Sequence, residues 1–208
     1  FKKEYDKKME TLKEWMAKPE TLAALNQKLF ENTWNDKCPG NISAWEMESL
    51  SFYYHDHEML YLDKDKYNLA DYKSLPEEPP IIGTYKIRDK ERYKYDIVRI
   101  GGTVLDKNKH KHTVTLLTTT GVVTIKFYGG AFAHYDKQNS REKGDGKNEI
   151  LESSWFARGN KLFVCGYRKG NQFRPYKYAD SIYQHTITLI TNINEDGSLD
   201  MQTERTRA

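Results

Sequence analysis

Cysteine is close to absent. Cys38 and Cys165 are the two in 208 residues, too few for a disulfide framework and in no zinc spacing, which points to a reducing compartment. No stretch approaches the ~20 apolar positions of a membrane span, and no signal peptide opens the chain. The first residue, Phe1, is not methionine, and the sequence is read as a piece of something longer. An excess of one charge is missing too. Lys and Arg number 33 against 30 Asp and Glu, a net charge of +3, so any grip on nucleic acid must come from a local cluster rather than a global field.

Tyrosine is abundant: 15 residues within a 13% aromatic share. Its flat apolar face and polar tip suit binding surfaces as well as half-wet cores. The 38% hydrophobic share supports one domain plus a smaller companion. Residues 1–62 read as helices. Tyr5, Met9, Leu12 and Met16 recur at spacings of four, three and four, one face of an amphipathic helix. Pro19 suits the first turn of a second helix, whose stripe is Leu22, Leu25 and Leu29. Inside it, Asn26-Gln27-Lys28-Leu29-Phe30 is faintly similar to the glutamine-led peptides that dock on sliding clamps, but the periodicity makes Leu29 and Phe30 core residues. Cys38-Pro39-Gly40-Asn41 is turn chemistry. Ser43 and Glu46 have the spacing of a capping box, and Met47, Leu50, Tyr54 and His57 carry a third helix as far as His57.

Residues 63–82 dissolve into charge and proline, ending Leu75-Pro76-Glu77-Glu78-Pro79-Pro80, a linker or extended surface strap. Period two then takes over. Thr84–Arg88 and Arg92–Leu105 are strand-like around a turn at Asp89-Lys90, and Gly101-Gly102 suggests a bulge or sharp bend. His112–Thr119 and Val122–Tyr128 follow, the latter with Val123, Ile125 and Phe127 inward and Thr124, Lys126 and Tyr128 outward. Ala131–Gln138 reads as a short helix, and 139–152 as a loop insertion. Lys161–Tyr167 and Phe173–Tyr178 form a hairpin, His185–Asn192 is a last strand, and 193–208 is a polar tail. Three strands, a short helix and two more strands is the order of an OB-fold barrel. The expected class is α+β: a helical segment, then a five-stranded barrel within 83–192.

Two clusters are candidates for chemistry. His55-Asp56-His57-Glu58 offers metal ligands or an acid/base pair. On a helix, however, His55 and His57 point roughly 200° apart, and no His-Glu-x-x-His spacing occurs. The competing reading buries His57 and leaves His55, Asp56 and Glu58 in water. The second cluster is Tyr167-Arg168-Lys169-Gly170-Asn171-Gln172-Phe173-Arg174-Pro175-Tyr176-Lys177-Tyr178, with the cationic loop Asp106–Lys111. These are the positions whose loops flank the strand-gripping face of an OB barrel. In one reading Lys107, Lys109, Lys111, Lys126, Arg168, Lys169, Arg174 and Lys177 meet phosphates. Tyr128, Phe173, Tyr176 and Tyr178 then stack on bases, worth ~1–3 kcal/mol per base. In the other, the charges are merely solvated and the aromatics fill the barrel. No nucleophile constellation or phosphate-cradling loop is present: Gly129-Gly130 and Gly144-Asp145-Gly146 lack the lysine and the strand-to-helix setting. No cofactor is expected.

Glu48, Leu50, Phe52, Tyr53 and His57 fall on the spacing of a segment just before the OB domain in the alpha subunit of bacterial DNA polymerase III, which the chain resembles. Ser51 stands where that family has glycine, and Glu58 where it has proline. Ile100–Leu105 looks like the family's opening barrel strand, Gly121–Tyr128 like its glycine-led third strand, and Leu162–Tyr167 like its fourth. Phe52-Tyr53-Tyr54-His55 and Leu75–Pro79 are similar to phage-type versions. The resemblance spans roughly 40–190.

It implies a family C replicative polymerase whose acidic catalytic palm lies outside this sequence. The chain would be a carboxy-terminal, non-catalytic piece whose barrel handles single-stranded template. The implied partners are single-stranded DNA, the remainder of the polymerase chain, and a sliding clamp or clamp loader, in the cytoplasm of a bacterial or phage-infected cell. Three alternatives stay open: a protein-docking scaffold, an anticodon-type RNA-binding barrel, and a metal-dependent hydrolase built on His55 and His57.

Overall fold

The computed structural model describes residues 1–37, 42–142, 148–194 and 196–206. The turn expected at Cys38–Asn41 and the cluster Gly144-Asp145-Gly146 lie outside them. The chain divides into two compact units, Phe1–Asn41 and Ile42–Ala208.

In the first unit, α1 (Lys2–Met16) and α2 (Pro19–Lys37) follow the apolar spacing, and Pro19 opens the second helix as its fixed backbone angle favours. Neither helix buries a residue. Leu29 and Phe30, expected in a core, are 54% and 60% exposed. Two helices alone offer too little facing surface to cover both stripes, and Phe30 stacks instead on Trp34.

The second unit opens with α3 (Ile42–Leu50). The helix stops seven residues short of the expected His57, because Ser51 takes a left-handed φ of 67°. The expected capping box does not form either. The Ser43 hydroxyl donates to the Asp56 carbonyl at 3.1 Å, and Glu46 accepts the backbone N–H groups of Tyr54 and His55 at 2.9 Å each. Both side chains therefore hold the returning chain rather than the helix end.

A hairpin of β1 (Ile81–Ile87) and β2 (Lys90–Tyr95) comes next. Arg88 and Asp89 both have positive φ, the signature of a two-residue type I′ turn. The continuous strand expected over 92–105 is broken at Asp96-Ile97, and β1–β2 is a separate sheet.

The barrel consists of β3 (Val98–Asn108), β4 (Thr113–Thr118), β5 (Gly121–Lys126), β8 (Lys161–Lys169) and β9 (Gln172–Pro175). Between β5 and β8 run α4 (Gly129–Asp136) and a hairpin of β6 (Asn139–Glu142) and β7 (Asn148–Glu152). Antiparallel pairs β3–β4, β4–β5, β3–β8 and β8–β9, with a parallel β5–β9 pair, close the cylinder. This is the five-stranded OB fold. Inside lie Ile100, Val104, Val114, Leu116, Val123, Ile125, Leu162, Val164 and Phe173. One end is plugged by α4 through Phe132, packed with Phe127 and Phe156. Tyr72 and Leu75 of the proline-rich strap also pack on this core.

Outside the barrel, β10 (Ile187–Ile193) pairs with β8 and β11 (Leu199–Gln202) with β10. Met59, Leu62, Tyr67, Phe163 and Ile190 form a second core against this side of the sheet. The segment that carries Arg205 is pinned as well. Arg205 donates to the carbonyls of Tyr135 and Lys137 and pairs with Glu152 at 2.9 Å.

Glycine is required where β8 meets β9. A Cβ on Gly166 would stand 2.0 Å from the Arg174 carbonyl oxygen. Gly166→Ala must therefore push β9 outward, and we expect it to cost at least the ~1–3 kcal/mol of an overpacked core, read as a lowered urea midpoint. His57 supplies a pH test. Its buried ring is held neutral, with its pKa pushed below the usual 6.5. Unfolding releases it to bind a proton, so its stabilising share is complete above about pH 6.5 and declines as the pH falls below that. Wild type should lose urea resistance between about pH 7.5 and 5.5, and His57→Gln should lose less; equal losses would show that His57 does not titrate in this way.

Candidate nucleic-acid interface

The segment Tyr53–Glu58 is architectural. Met59 N–H donates to His57 Nδ1 at 3.1 Å, which leaves the proton on Nε2, facing the Leu117 carbonyl at 3.1 Å and Thr103 Oγ1 at 3.2 Å. Thr103 also meets the Tyr53 hydroxyl at 2.9 Å, and that hydroxyl reaches Glu58 at 3.3 Å. Burial, the largest influence, pushes the Tyr53 phenol up to about 12. Glu58, expected in water, is instead buried and paired with Lys161 at 3.0 Å. Burial makes an unpaired carboxylate untenable, so the strand lysine and the glutamate come as a pair. His55, which is exposed, bonds to Glu46 through Nδ1. His57 has both ring nitrogens engaged, and among the described residues no group of three or more His, Cys, Asp or Glu could hold a metal.

The segment from α3 to Leu69 covers the outside of β3 and β8 and reaches the Leu117 carbonyl of β4. This leaves the outer wall of β4, β5 and β9 more open, with Val122 exposed and the other outward residues half-buried. Alternation places Thr113, Thr115 and Leu117, then Val122, Thr124 and Lys126, then Gln172 and Arg174 on that wall. The two cationic loops lie at its opposite ends. Lys126 Nζ donates to the Lys111 carbonyl at one end, and the Gly170 turn lies at the other, level with Val122 in the β5–β9 register and so about 13 Å away along β5. Gly170 N–H donates to Glu77 of the strap at 2.7 Å.

The twelve expected site residues divide. Lys109, Lys111 and Lys169 are exposed, and Arg174 is half-buried on the wall. Lys177 is exposed while donating to the Gln184 carbonyl, and Lys126 is half-buried while donating to the Lys111 carbonyl. Lys107 is committed to Asp136 and Ser154. Burial raises the Asp136 pKa, but the hydrogen bonds from Lys107 and Ser154 outweigh it, and the net shift is downward. Lys109 touches the same carboxylate at 3.5 Å, with its side chain 72% exposed. Arg168 is an anchor rather than a phosphate ligand: it donates to the carbonyls of Leu75 and Gly170, pairs with Glu77 at 3.2 Å and lies over Tyr72. Phe173, expected to stack on bases, is fully buried, because β9 alternates and Phe173 is its inward residue.

Tyr128 is 70% exposed at the end of β5. A groove of about 250 Å³ begins there, lined by Tyr128, Tyr135, Tyr176, Lys177 and Thr186. Tyr176 and Tyr178 are half-buried, with ring centroids 4.9 Å apart. Sequence reasoning missed their partners on the hairpin. The Tyr85 and Tyr176 hydroxyls meet at 3.0 Å, and Tyr95 N–H donates to the Tyr178 hydroxyl at 2.8 Å. The Tyr85 bond, then burial, raises the Tyr176 pKa. The signal lay in Tyr85, Tyr93 and Tyr95 alternating with cations.

An open, cation-rimmed wall and an adjoining aromatic platform are features of strand-binding barrels. A protein of Bacillus subtilis (strain 168) named "Probable DNA polymerase YorL" is 47% identical to the chain over 205 residues. The chain is homologous to a segment of a DNA polymerase. The "DNA-directed DNA polymerase" of Bacillus phage SPbeta matches equally, at 47% over 205 residues. These 205 residues are 99% of the chain but 16% of either relative. No protein-family profile and no solved structure matches it. Among the described residues no helix is long and apolar enough to cross a membrane.

Core and surface rings should separate in stability. Phe173→Ala is expected to cost about 3–5 kcal/mol, whereas Tyr128→Ala should stay within about 0.5 kcal/mol of wild type, both by chemical denaturation.

Proposed function

We propose that this segment is a non-catalytic module that binds single-stranded DNA in a polymerase of the DNA polymerase III alpha type, guiding the template strand. The observation that carries this is the placement of the more open wall. The barrel face that the α3–Leu69 segment leaves more open has the exposed cations Lys111 and Lys169 at its two ends, and it leads to Tyr128, Tyr176 and Tyr178. Lys109, Lys111, Lys126, Lys169, Arg174 and Lys177 are the phosphate contacts in this reading.

The names of the relatives support the polymerase setting, and the motif through Glu48, Leu50, Phe52, Tyr53 and His57 supports the III alpha type. The remainder of the polymerase chain is then a partner in the bacterial or phage-infected cytoplasm. A clamp or clamp-loader contact is a further partner in this reading, supported by exposed Leu29, Phe30 and Trp34 on α2.

Titration of a labelled oligothymidylate tests the reading. With about six phosphates neutralised, one per contact, log K should fall against log salt with a slope near −4, at ~0.7 per phosphate. Lys111→Ala with Lys169→Ala should weaken oligonucleotides of every sequence alike and flatten the slope by about 1.4. Absence of binding, or a flat salt response, would refute the single-strand role.

A further inference from the structure

The hairpin β1–β2 stands outside the barrel, and nothing in the barrel's closure requires it. Residues 81–95 carry Lys86, Arg88, Lys90, Arg92 and Lys94 against Asp89 and Glu91. Fifteen residues thus hold a net charge of 5 − 2 = +3, equal to the net +3 of all 208. Register sorts these charges by face. Gly83 pairs with Lys94, Tyr85 with Arg92 and Ile87 with Lys90, so Tyr85 and three cations share one face, while Lys86 opposes Glu91 on the other.

The Tyr85 face is the one that meets the barrel's tyrosines. Tyr85 lies edge-on to Tyr178 at 5.8 Å, and Lys94 sits 5.3 Å over the same ring. Tyr95 packs on Tyr167 at 4.8 Å, and Tyr167 on Tyr176 at 6.4 Å. At the root Lys94 is paired with Asp180. Toward the tip, Lys90 and Arg92 are exposed, and among the described residues neither pairs with a carboxylate. Isolated hairpins are marginal in water; here two tyrosine hydroxyl bonds fix the root. The result is a held arm whose cationic face continues the barrel's aromatic platform.

We propose that the β1–β2 hairpin is a second phosphate-binding arm, with Lys90 and Arg92 gripping the backbone of a single strand after it leaves Tyr176 and Tyr178. The proposal rests on the single-strand reading of the barrel and extends the path beyond it. Two neutralised phosphates at ~0.7 each should add about 1.4 to the salt slope, but only for a strand long enough to reach the hairpin.

The test uses the 208-residue chain with two labelled oligothymidylates, one of about 8 nucleotides to match a single barrel's site and one about twice as long. Wild type should bind the longer strand more tightly, with a slope steeper by about 1.4. Lys90→Ala with Arg92→Ala should abolish that difference and leave the short strand unchanged. Equal slopes for both lengths in wild type, or an unaltered difference in the variant, would overturn the arm and leave the barrel reading standing. Failure of wild type to bind either strand would overturn the barrel reading and the arm with it. Loss of short-strand binding in the variant would place the hairpin inside the barrel's own site and refute its role as an extension.

Discussion

The cylinder is closed by two parallel residue pairs, Thr124 with Gln172 and Ile125 with Phe173. The barrel and the site proposed on its wall both depend on them. Parallel pairing between β5 and β9 requires β9 to approach β8 closely enough to share it as an antiparallel partner, and Gly166 permits this by having no side chain to strike Arg174. Phe173 then fills the centre from the closing strand. Were β9 to lift away, the core would lose its largest inward residue on that strand, and the wall would lose Gln172 and Arg174 together with the path to Tyr176 and Tyr178.

Closure also creates a problem of coverage. A small barrel has an outside as well as an inside, and any apolar outward residue must find a partner. On β3, β8 and β10 these residues are covered by Met59, Leu62 and Tyr67. The hydrogen-bonded series Lys161, Glu58, Tyr53, Thr103 and His57 locks that cover in register. Burying a glutamate and a histidine here is costly unless each is satisfied, and each is: one as half of an ion pair, the other as a neutral ring with both nitrogens bonded. On β4, β5 and β9 most outward residues are threonine, lysine, glutamine and arginine, which need no cover; of the two apolar ones, Leu117 is half-buried and Val122 exposed. The contrast between the two sides of one barrel is what isolates a single wall for solvent and for a ligand.

Much of this was legible in the sequence. Val123, Ile125 and Phe127 alternate with Thr124, Lys126 and Tyr128, and the structure places each on its expected side. The order of three strands, a helix and two strands is present as read. What failed did so for local reasons that pattern cannot see. Periodicity carried α3 to His57, but spacing does not reveal that Glu46 spends its carboxylate on the amides of Tyr54 and His55. Alternation joined β2 to β3, since a break of two residues leaves the period of two intact. Lys107 and Arg168 looked like phosphate ligands because their composition is the same whether or not a carboxylate faces them. Asp136 and Glu77, which claim them, lie 29 and 91 residues away in sequence.

The pairing of some cations and not others has a physical consequence for the site. Lys107 and Arg168 stand at the two ends of the wall, and each is spent on a tie: one fastens the helix that plugs the barrel, the other the strap. A cation held by a carboxylate contributes little net field, so the positive edge of the wall is set by Lys111 and Lys169, with Lys109, 72% exposed, sharing Asp136 with Lys107 at 3.5 Å. Those side chains are exposed, which in the proposed reading suits a backbone of regularly spaced phosphates but gives no directional reading of bases. The tyrosines are the opposite case. With the hydroxyls of Tyr85, Tyr176 and Tyr178 tied, their rings keep their orientation before any ligand arrives, and less conformational entropy is lost when a base stacks. In the proposed single-strand reading, exposed charges and fixed rings together favour a site that accepts a strand of any sequence and holds it on a defined path.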